Sequence, residues 1–299
     1  MNREQPSSFY GVDLAYIHDA GFGGFAEGAA PGLLELLHRN RIRAGPIVDL
    51  GCGSGIWARH LTNAGYQVIG VDISAAMIDL AHKRAPDAVF QVGSVHKFDF
   101  PPCRAITALG EVLCYRDGGS NNHKSLASLF QKAAAALAPA GVLIFDVAEV
   151  GLDKNRPPTY RAGADWACLV RFEYDARRDQ LIRHITSFRQ VGMLYRRQEE
   201  SHHVQLFRRG EITEMLRKVG LRVRTVRSYG DYNLLPGRIG FIAHEPSPRK
   251  IFSAISNRYL SIANSLLLRF RSFPANLLGP TSCRMRKAAE RGGFALTES

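Results

Sequence analysis

The residues best suited to chemistry form a glycine-rich turn after a short apolar run. Residues 47–50 are apolar apart from one acid, and glycines follow at every second position, as Gly51, Gly53 and Gly55. Glycine permits a positive φ and lets a ligand approach the main chain closely. A dinucleotide-binding fingerprint needs a further glycine three residues after the second, and Ile56 occupies that position. The turn therefore predicts a small-molecule site that does not bind a pyrophosphate.

A second acidic side chain is expected beside this turn. Residues 68–71 predict a strand, and Asp72 ends it seventeen positions after Gly55. In a doubly wound sheet, an acid at the tip of the second strand lies next to the first glycine turn and can accept both hydroxyls of a ribose. The alternative role is the N-cap of a helix that starts near Ser74. Because Asp72 precedes that start by two residues, we favour the ribose, and both signals together fit an adenosine without a diphosphate.

In their types and order, these residues resemble the class I S-adenosylmethionine-dependent methyltransferases. The matching blocks are 48–55, 71–74 with Met77, 93–94, 108–111 and 137–141. The resemblance covers residues 10–150 well and 207–245 loosely. It implies S-adenosyl-L-methionine as the cofactor and an α/β fold with a doubly wound, mostly parallel, seven-stranded Rossmann-like sheet.

The resemblance also implies cofactor contacts. The glycines would approach the methionine portion, Asp49 would hold the turn or the ammonium group, and the second strand would bind the ribose. Many relatives carry an acid after the third strand for the adenine amino group, whereas this chain has Ser94 and then Val95. The expected cofactor-binding residues are Tyr16, Asp49, Gly51, Gly53, Ser54, Gly55, Asp72, Ile73, Met77, Ser94, Val95, Leu109 and Gly110.

Methyl transfer asks little chemistry of the protein itself. A sulfonium methyl is already an electrophile, so alignment, worth about 7–11 kcal/mol, outweighs a positioned base, worth typically ~10²–10⁴-fold in rate. Glu111 is open as a base, as a binder of the cofactor's ammonium group or as a capping carboxylate. Tyr16 and His18 precede the first strand, in a segment expected to close over the cofactor; they contact cofactor or substrate, or pack under a helix. His18 also has a pKa suited to a base, and the candidate catalytic residues are His18, Glu111 and Tyr115.

No metal site is expected. His202 and His203 are adjacent, and neighbours in a strand point to opposite faces. A third ligand with suitable spacing is missing from the sequence. One of the two histidines can still face the substrate.

The composition is ordinary for a globular protein, but the charge is uneven. The 299 residues are 45% hydrophobic and 22% charged. They contain no apolar run long enough to span a membrane and no apolar core of a secretory signal. Five cysteines without a CxxC pair predict a reducing, cytoplasmic setting. Of the formal charge of +12, residues 246–299 carry +7, from nine Lys/Arg and two Asp/Glu, so a nucleic-acid partner is not indicated for the remainder.

Periodicity predicts the elements around the motifs. A helical segment at 12–39, interrupted near Gly28, Pro31 and Gly32, precedes alternating strands and helices. Strands are predicted at 46–50, 67–72, 88–92, 104–109 and 141–147, and helices at 56–64, 74–84 and 123–137. Residues 166–207 predict two or three antiparallel strands, followed by a helix at 211–219 and strands at 221–228 and 239–244.

These elements divide the chain into an N-terminal helical lid (1–45), a cofactor-binding core (46–150), an antiparallel β insertion over the substrate (151–207), a completion of the core sheet (208–245) and a basic amphipathic extension (246–299). In the extension, apolar residues recur at helical spacing from Ile251 to Phe273. Such a helix packs on its own domain, which we favour, or contacts a membrane surface or a partner. Beyond Pro274 we expect no order.

We therefore expect a cytoplasmic S-adenosylmethionine-dependent methyltransferase that acts on an oxygen or nitrogen of a small molecule. Two alternatives stay open. One is an RNA or protein methyltransferase that uses the basic tail, and the other is a protein that binds the cofactor without turnover. The sequence carries no signal for the acceptor's identity or the oligomeric state.

Overall fold

Six α-helices, one 3₁₀ helix (Val112–Cys114) and thirteen strands follow one another in the computed structural model, which describes residues 9–116, 123–151 and 156–245. The helices are α1 (Val12–Phe22), α2 (Gly24–Arg39), α3 (Ile56–Asn63), α4 (Ala75–Arg84), α5 (His123–Ala136) and α6 (Arg209–Lys218). The strands are β1 (Pro46–Leu50), β2 (Gln67–Asp72), β3 (Val89–Val92), β4 (Cys103–Ala108), β5 (Leu137–Ala148), β6 (Thr159–Ala162), β7 (Trp166–Asp175), β8 (Gln180–Val191), β9 (Leu194–Gln205), β10 (Arg222–Val226), β11 (Ser228–Tyr229), β12 (Tyr232–Asn233) and β13 (Arg238–His244).

Seven strands form the main sheet, in the order β3-β2-β1-β4-β5-β13-β10. β1 to β5 pair in parallel, and β13 runs antiparallel between β5 and β10. This confirms the predicted mostly parallel, seven-stranded sheet. β5 starts earlier than predicted because Leu137 pairs with Cys103 before an irregularity in the register.

Apolar side chains cover both faces of this sheet, as a parallel sheet requires. On one face α5 packs against β5 and α6 against β10, with the rings of Phe130 and Phe145 5.4 Å apart. On the other face α2 and α3 bury Leu37 and Leu61. The helices therefore leave one edge, at the carboxyl ends of β1, β2 and β4, for a ligand.

The insertion between β5 and α6 is a separate antiparallel sheet in the order β6-β7-β8-β9. Its three long strands agree with the predicted antiparallel runs. β6 was not predicted from the sequence. All four of its residues are exposed, and they show no alternation of apolar and polar side chains that would indicate a strand.

The N-terminal helical segment breaks at Gly23, which corrects the predicted interruption near Gly28, Pro31 and Gly32. Those three residues lie inside α2. A Cβ on Gly28 would contact the ring of Tyr232, and a Cβ on Gly32 would overlap the backbone of β11. The two glycines, one turn apart, thus let the β11–β12 hairpin approach the helix instead of ending it.

Helix α1 connects the main sheet with the insertion. Its Asp13, 1% exposed, is ion-paired with Arg196 and Arg189 of the insertion. Its Asp19 accepts two hydrogen bonds from Arg84 of α4, at 2.7 and 2.9 Å. Closure of this segment as a lid stays a prediction, and the observed contacts place α1 across both sheets.

The extension at 246–299, with its predicted amphipathic helix, lies outside the described residues. Among the residues that are described, no helix has the length and apolar character needed to cross a membrane. The described cysteines, Cys52, Cys103, Cys114 and Cys168, are buried free thiols.

The close contact at Gly32 leads to a stability prediction. Gly32→Ala should lower the free energy of unfolding by about 1–3 kcal/mol, since the new methyl group must displace backbone atoms of β11. Gly24→Ala is the matched control in the same helix, where no described atom lies within 4 Å of the added Cβ. Urea titration followed by circular dichroism measures both. Equal stability of the two variants would contradict this packing.

Candidate active site

The turn between β1 and α3 presents backbone to the carboxyl edge of the sheet. Gly51, Gly53 and Gly55 have φ values of 63°, 52° and 78°. The Gly51 amide donates to the Val71 carbonyl at 2.7 Å, which holds the turn against β2. Among the described atoms, none lies within 4 Å of a Cβ built on Gly53. That glycine therefore leaves room for a ligand to reach the main chain.

Asp72 ends β2 directly beside the turn. Its Oδ2 accepts the Gly53 amide at 2.9 Å, and its Oδ1 accepts the Ser74 amide at 2.9 Å. Ser74 is the N-cap of α4, because its hydroxyl accepts the Met77 amide at 3.1 Å. Burial raises the pKa of Asp72, and the backbone N–H groups oppose that rise. Each carboxylate oxygen keeps a second lone pair for a ligand.

Asp49 is a second buried carboxylate, two residues before the turn. Its Oδ1 accepts the Thr107 hydroxyl at 2.8 Å, and that hydroxyl lies 3.2 Å from the indole nitrogen of Trp57. Burial raises the pKa of Asp49 to about 7. A cationic ligand group nearby would favour the ionised form.

A cavity of about 1160 Å³ lies between this edge and the insertion. The insertion contributes an apolar wall that includes Val170, Phe172 and Ile185. All but two of the sequence-predicted site residues line the cavity: His18, Asp49, Gly51, Gly53, Ser54, Asp72, Ile73, Met77, Ser94, Val95, Leu109, Gly110, Glu111 and Tyr115. The volume is slightly above the range typical of small-ligand sites.

Tyr16 is not among the residues that line the cavity, so its surroundings favour the packing role over the predicted contact with the cofactor. Its hydroxyl donates to Asp165 at 2.9 Å, and the Arg189 guanidinium lies 3.8 Å from its ring centre. Tyr16 and His18 are two residues apart on one helix, so they point about 200° apart. His18 is the one that faces the cavity.

Gly55, the other predicted cofactor-binding residue outside the cavity wall, has a packing role instead. A Cβ at this position would lie 2.9 Å from the Cα of Ala81. Gly55 therefore allows α3 and α4 to pack closely, and its positive φ completes the turn.

Glu111 is held by two arginines from distant parts of the chain. Arg183 of β8 donates at 2.7 Å, and Arg238 of β13 donates to the other carboxylate oxygen. Burial alone would raise the pKa of Glu111, but the two guanidinium groups together lower it. A carboxylate in this state is a poor proton acceptor, which argues against the general base among the three roles left open for Glu111.

Tyr115 lies in a chain of polar contacts above this ion pair. Its hydroxyl accepts a hydrogen bond from Arg183 at 3.0 Å and lies 3.2 Å from the Tyr10 hydroxyl. His18 lies edge-on to the ring of Tyr10, with ring centres 5.1 Å apart. Burial lowers the pKa of His18 to about 4, so this imidazole is neutral at neutral pH.

Several cavity residues were missed by the sequence analysis because they come from β8, β9 and β13. Arg183, Arg238 and His202 line the cavity. Of the two adjacent histidines, His202 is buried and lines the cavity, whereas His203 is exposed; that His202 faces the substrate stays a prediction. Glu111, the ion-pair partner of Arg183 and Arg238, lies 72 and 127 residues away from them, so no local pattern marks these arginines.

The described residues, with gaps at 117–122 and 152–155 and at both ends, contain no group of three or more His, Cys, Asp or Glu side chains that could hold a metal ion.

Comparison with known proteins extends these observations. The chain matches the family model of the methyltransferase domain over residues 24–226. It is 26% identical to the dTDP-3-amino-3,6-dideoxy-alpha-D-glucopyranose N,N-dimethyltransferase of Streptomyces fradiae, over 79% of this chain and 95% of that protein.

Two solved structures share the fold. An S-adenosylmethionine-dependent methyltransferase from Clostridium acetobutylicum has a TM-score of 0.67 at 17% identity and covers 78% of this chain and 98% of its own. The sugar N-methyltransferase KedS8 from a Streptoalloteichus species has a TM-score of 0.65 at 18% identity, with 83% and 96% covered. The family match runs from the start of α2 to the end of β10 and includes the glycine turn, Asp72 and the insertion. This chain is therefore a member of the methyltransferase-domain family, a class I S-adenosylmethionine-dependent methyltransferase.

Proposed function

We propose that this enzyme methylates an amino nitrogen of a small, nucleotide-linked amino sugar in the cavity between the two sheets. The observation that carries the proposal is the cavity itself, which has a wall of backbone and carboxylates opposite an apolar wall from the insertion. The relative from Streptomyces fradiae, similar over 95% of its length, is named for N,N-dimethylation of a dTDP-linked amino sugar. A cavity closed on both sides suits a small acceptor better than a polymer.

The residues at the carboxyl edge fit S-adenosylmethionine. The open side of Gly53 admits the methionine portion, the free lone pairs of Asp72 accept the ribose hydroxyls, and the buried Asp49 is placed to balance the cofactor's ammonium group. When bound, S-adenosylmethionine supplies an electrophilic methyl group on a sulfonium sulfur. The fold's task is then to orient that methyl group towards the acceptor and to exclude water.

The adenine is assigned to the end of β3. Ser94 and Val95 line the cavity there, with Ile73 and Met77 on the neighbouring segment. Ile73 is 42% exposed, which is a high value for a large apolar side chain, and a stacked base would cover it. Leu109 and Gly110 follow β4 and are assigned to the sulfonium side.

The acceptor is assigned to the opposite wall. Val170 and Phe172 of β7 supply apolar surface, and the Arg156 guanidinium lies 4.5 Å from the centre of the Phe172 ring. Arginine is suited to a phosphate on such an acceptor because it stays charged and donates several hydrogen bonds. We place the reaction in the cytoplasm, a proposal supported by the free thiols of the described cysteines.

Two of the three glycines of the turn, Gly53 and Gly55, give a paired prediction. Gly53→Ala should weaken cofactor binding by at least about tenfold, since its methyl group enters the space assigned to the methionine portion, while adding ~1–2 kcal/mol of strain at a positive φ. Gly55→Ala should instead lower stability through its clash with Ala81. Calorimetric titration and thermal unfolding separate the effects. A Gly53→Ala enzyme with normal cofactor affinity would refute the approach surface.

Asp72 and Ser74 form a second pair. Asp72→Ala should reduce cofactor affinity by about 1.5–3 kcal/mol, the range for hydrogen bonds to a charged group. Ser74→Ala removes the cap of α4, with an expected loss of about 1 kcal/mol in stability and little change in affinity. Both are measured by calorimetry with S-adenosylmethionine and by chemical unfolding. Equal affinities for the two variants would remove Asp72 from the ribose site.

Transfer of a labelled methyl group tests the acceptor. The enzyme should label dTDP-3-amino-3,6-dideoxyglucose and leave dTDP-glucose, which has no amine, unlabelled. Chromatography and mass spectrometry identify the product. Label in RNA or protein from an extract would favour the macromolecular alternative, and cofactor binding without label in any fraction would favour a non-catalytic protein.

A further inference from the structure

His202 carries a buried ring nitrogen that lacks a partner. The residue lies in β9 opposite Arg183 of β8, lines the cavity and is 2% exposed. Its Nδ1 has no hydrogen-bond partner among the described residues. A buried polar atom left in that state costs about 1–3 kcal/mol. Such a cost in the wall of a ligand cavity points to a partner that the ligand supplies.

The other ring nitrogen fixes the tautomer. Nε2 of His202 lies 2.8 Å from Oε2 of Glu200, and the same carboxylate accepts the amides of Tyr10 and Gly11 at 2.9 Å each. An ionised carboxylate can only accept hydrogen bonds, so the ring nitrogen in contact with it is the donor. Nε2 therefore carries the hydrogen, and Nδ1 keeps its lone pair.

Three aromatic rings surround this imidazole beside the carboxyl edge of the sheet. The His202 ring is stacked on Phe9 at 5.1 Å and lies 4.8 Å from the Tyr10 ring and 5.8 Å from the Tyr115 ring. Tyr115 follows β4, whose end is assigned to the sulfonium. The titratable and charged side chains that face or adjoin the imidazole are Glu200, Arg183, Tyr10, Tyr115 and His18.

The other candidate bases in the cavity are less suited. Glu111 is held by two guanidinium groups, and the Tyr115 hydroxyl accepts a hydrogen bond from Arg183. His18 has a pKa lowered to about 4 by burial, so it holds a proton weakly. His202 differs from His18 because its Nε2 is in direct contact with the Glu200 carboxylate, which orients the ring.

We infer that His202, oriented by Glu200, accepts the proton that the acceptor nitrogen loses during methyl transfer. The inference rests on the proposed function. The lone pair of the nitrogen forms the bond to the methyl carbon as the carbon–sulfur bond breaks with its electrons going to sulfur. The proton leaves the nitrogen for Nδ1 of His202, and the resulting imidazolium is paired with the Glu200 carboxylate.

The tautomer can be measured on the unaltered enzyme. Nitrogen-15 NMR of histidine-labelled protein, with His202 assigned through its contacts to Phe9 and Tyr10, should show a protonated Nε2 and an unprotonated Nδ1 at neutral pH. A protonated Nδ1 in the neutral ring would overturn the inference. This measurement needs no variant and no acceptor.

The kinetic test uses a matched pair of variants. His202→Gln keeps an N–H donor for Glu200 but removes the base, whereas His203→Gln changes the exposed face of the same strand. With dTDP-3-amino-3,6-dideoxyglucose as acceptor, His202→Gln should lower kcat by ~10²–10⁴-fold. The cofactor Kd should stay unchanged, and His203→Gln should behave as wild type.

The outcomes separate the two proposals. A His202→Gln enzyme with wild-type kcat would overturn the role of His202 and leave the acceptor assignment intact. If the wild-type enzyme transfers no methyl group to this nucleotide, the acceptor class of the proposed function fails, and the tautomer still decides for or against His202. A folding defect in the variant, seen by circular dichroism, likewise leaves the decision to the NMR measurement.

Discussion

Buried negative charge at the carboxyl edge of the sheet is the constraint on which the site depends. Removing a carboxylate from water costs several kcal/mol unless partners replace the water. Glu111 has two guanidinium partners, and its pKa is lowered. Asp146 accepts the amides of Gly110 and Glu111, and burial still raises its pKa to about 6. Asp49, with the Thr107 hydroxyl, reaches about 7. The carboxylate with the weakest protein partner is thus the one whose ionised form gains most from a cationic cofactor.

The same requirement joins the insertion to the core. The side chain of Arg183, in β8, forms an ion pair with Glu111 of the core. At the far end of the same antiparallel sheet, Arg189 and Arg196 form ion pairs with the buried Asp13 of α1. Buried ion pairs of this kind are weak evidence for stability, but they disfavour any arrangement that separates their partners. They therefore fix the insertion, which forms the proposed acceptor side of the cavity, relative to the carboxyl edge of the main sheet, which forms the proposed cofactor side. Methyl transfer depends chiefly on that alignment.

Short-range sequence patterns made part of this site predictable. The glycine turn and Asp72 follow from short-range requirements, namely a positive φ and the end of a parallel strand, so sequence spacing locates them. The role of Glu111 stayed open among three alternatives because its arginine partners are supplied by β8 and β13, 72 and 127 residues away. Tyr16 was assigned to the cofactor site for a different reason. The sequence predicts the helix but not its rotation about its own axis, which turns Tyr16 away from the cavity. That rotation is set by the ion pairs and apolar contacts of α1 with the insertion, which no local pattern encodes.

Glu200 connects the covering of the cavity with the chemistry inside it. One carboxylate holds the amides of Tyr10 and Gly11, at the start of α1, and the Nε2 of His202. Because the site is shielded from water, the attraction between this carboxylate and an imidazolium is stronger than it would be at the surface. Displacing the N-terminal segment would admit water and free two of the acceptor sites of Glu200, which weakens its hold on the imidazole. His202, the proposed base, is therefore best oriented when Phe9 and Tyr10 cover it. The exclusion of water and the orientation of His202 for proton transfer both depend on the Glu200 side chain.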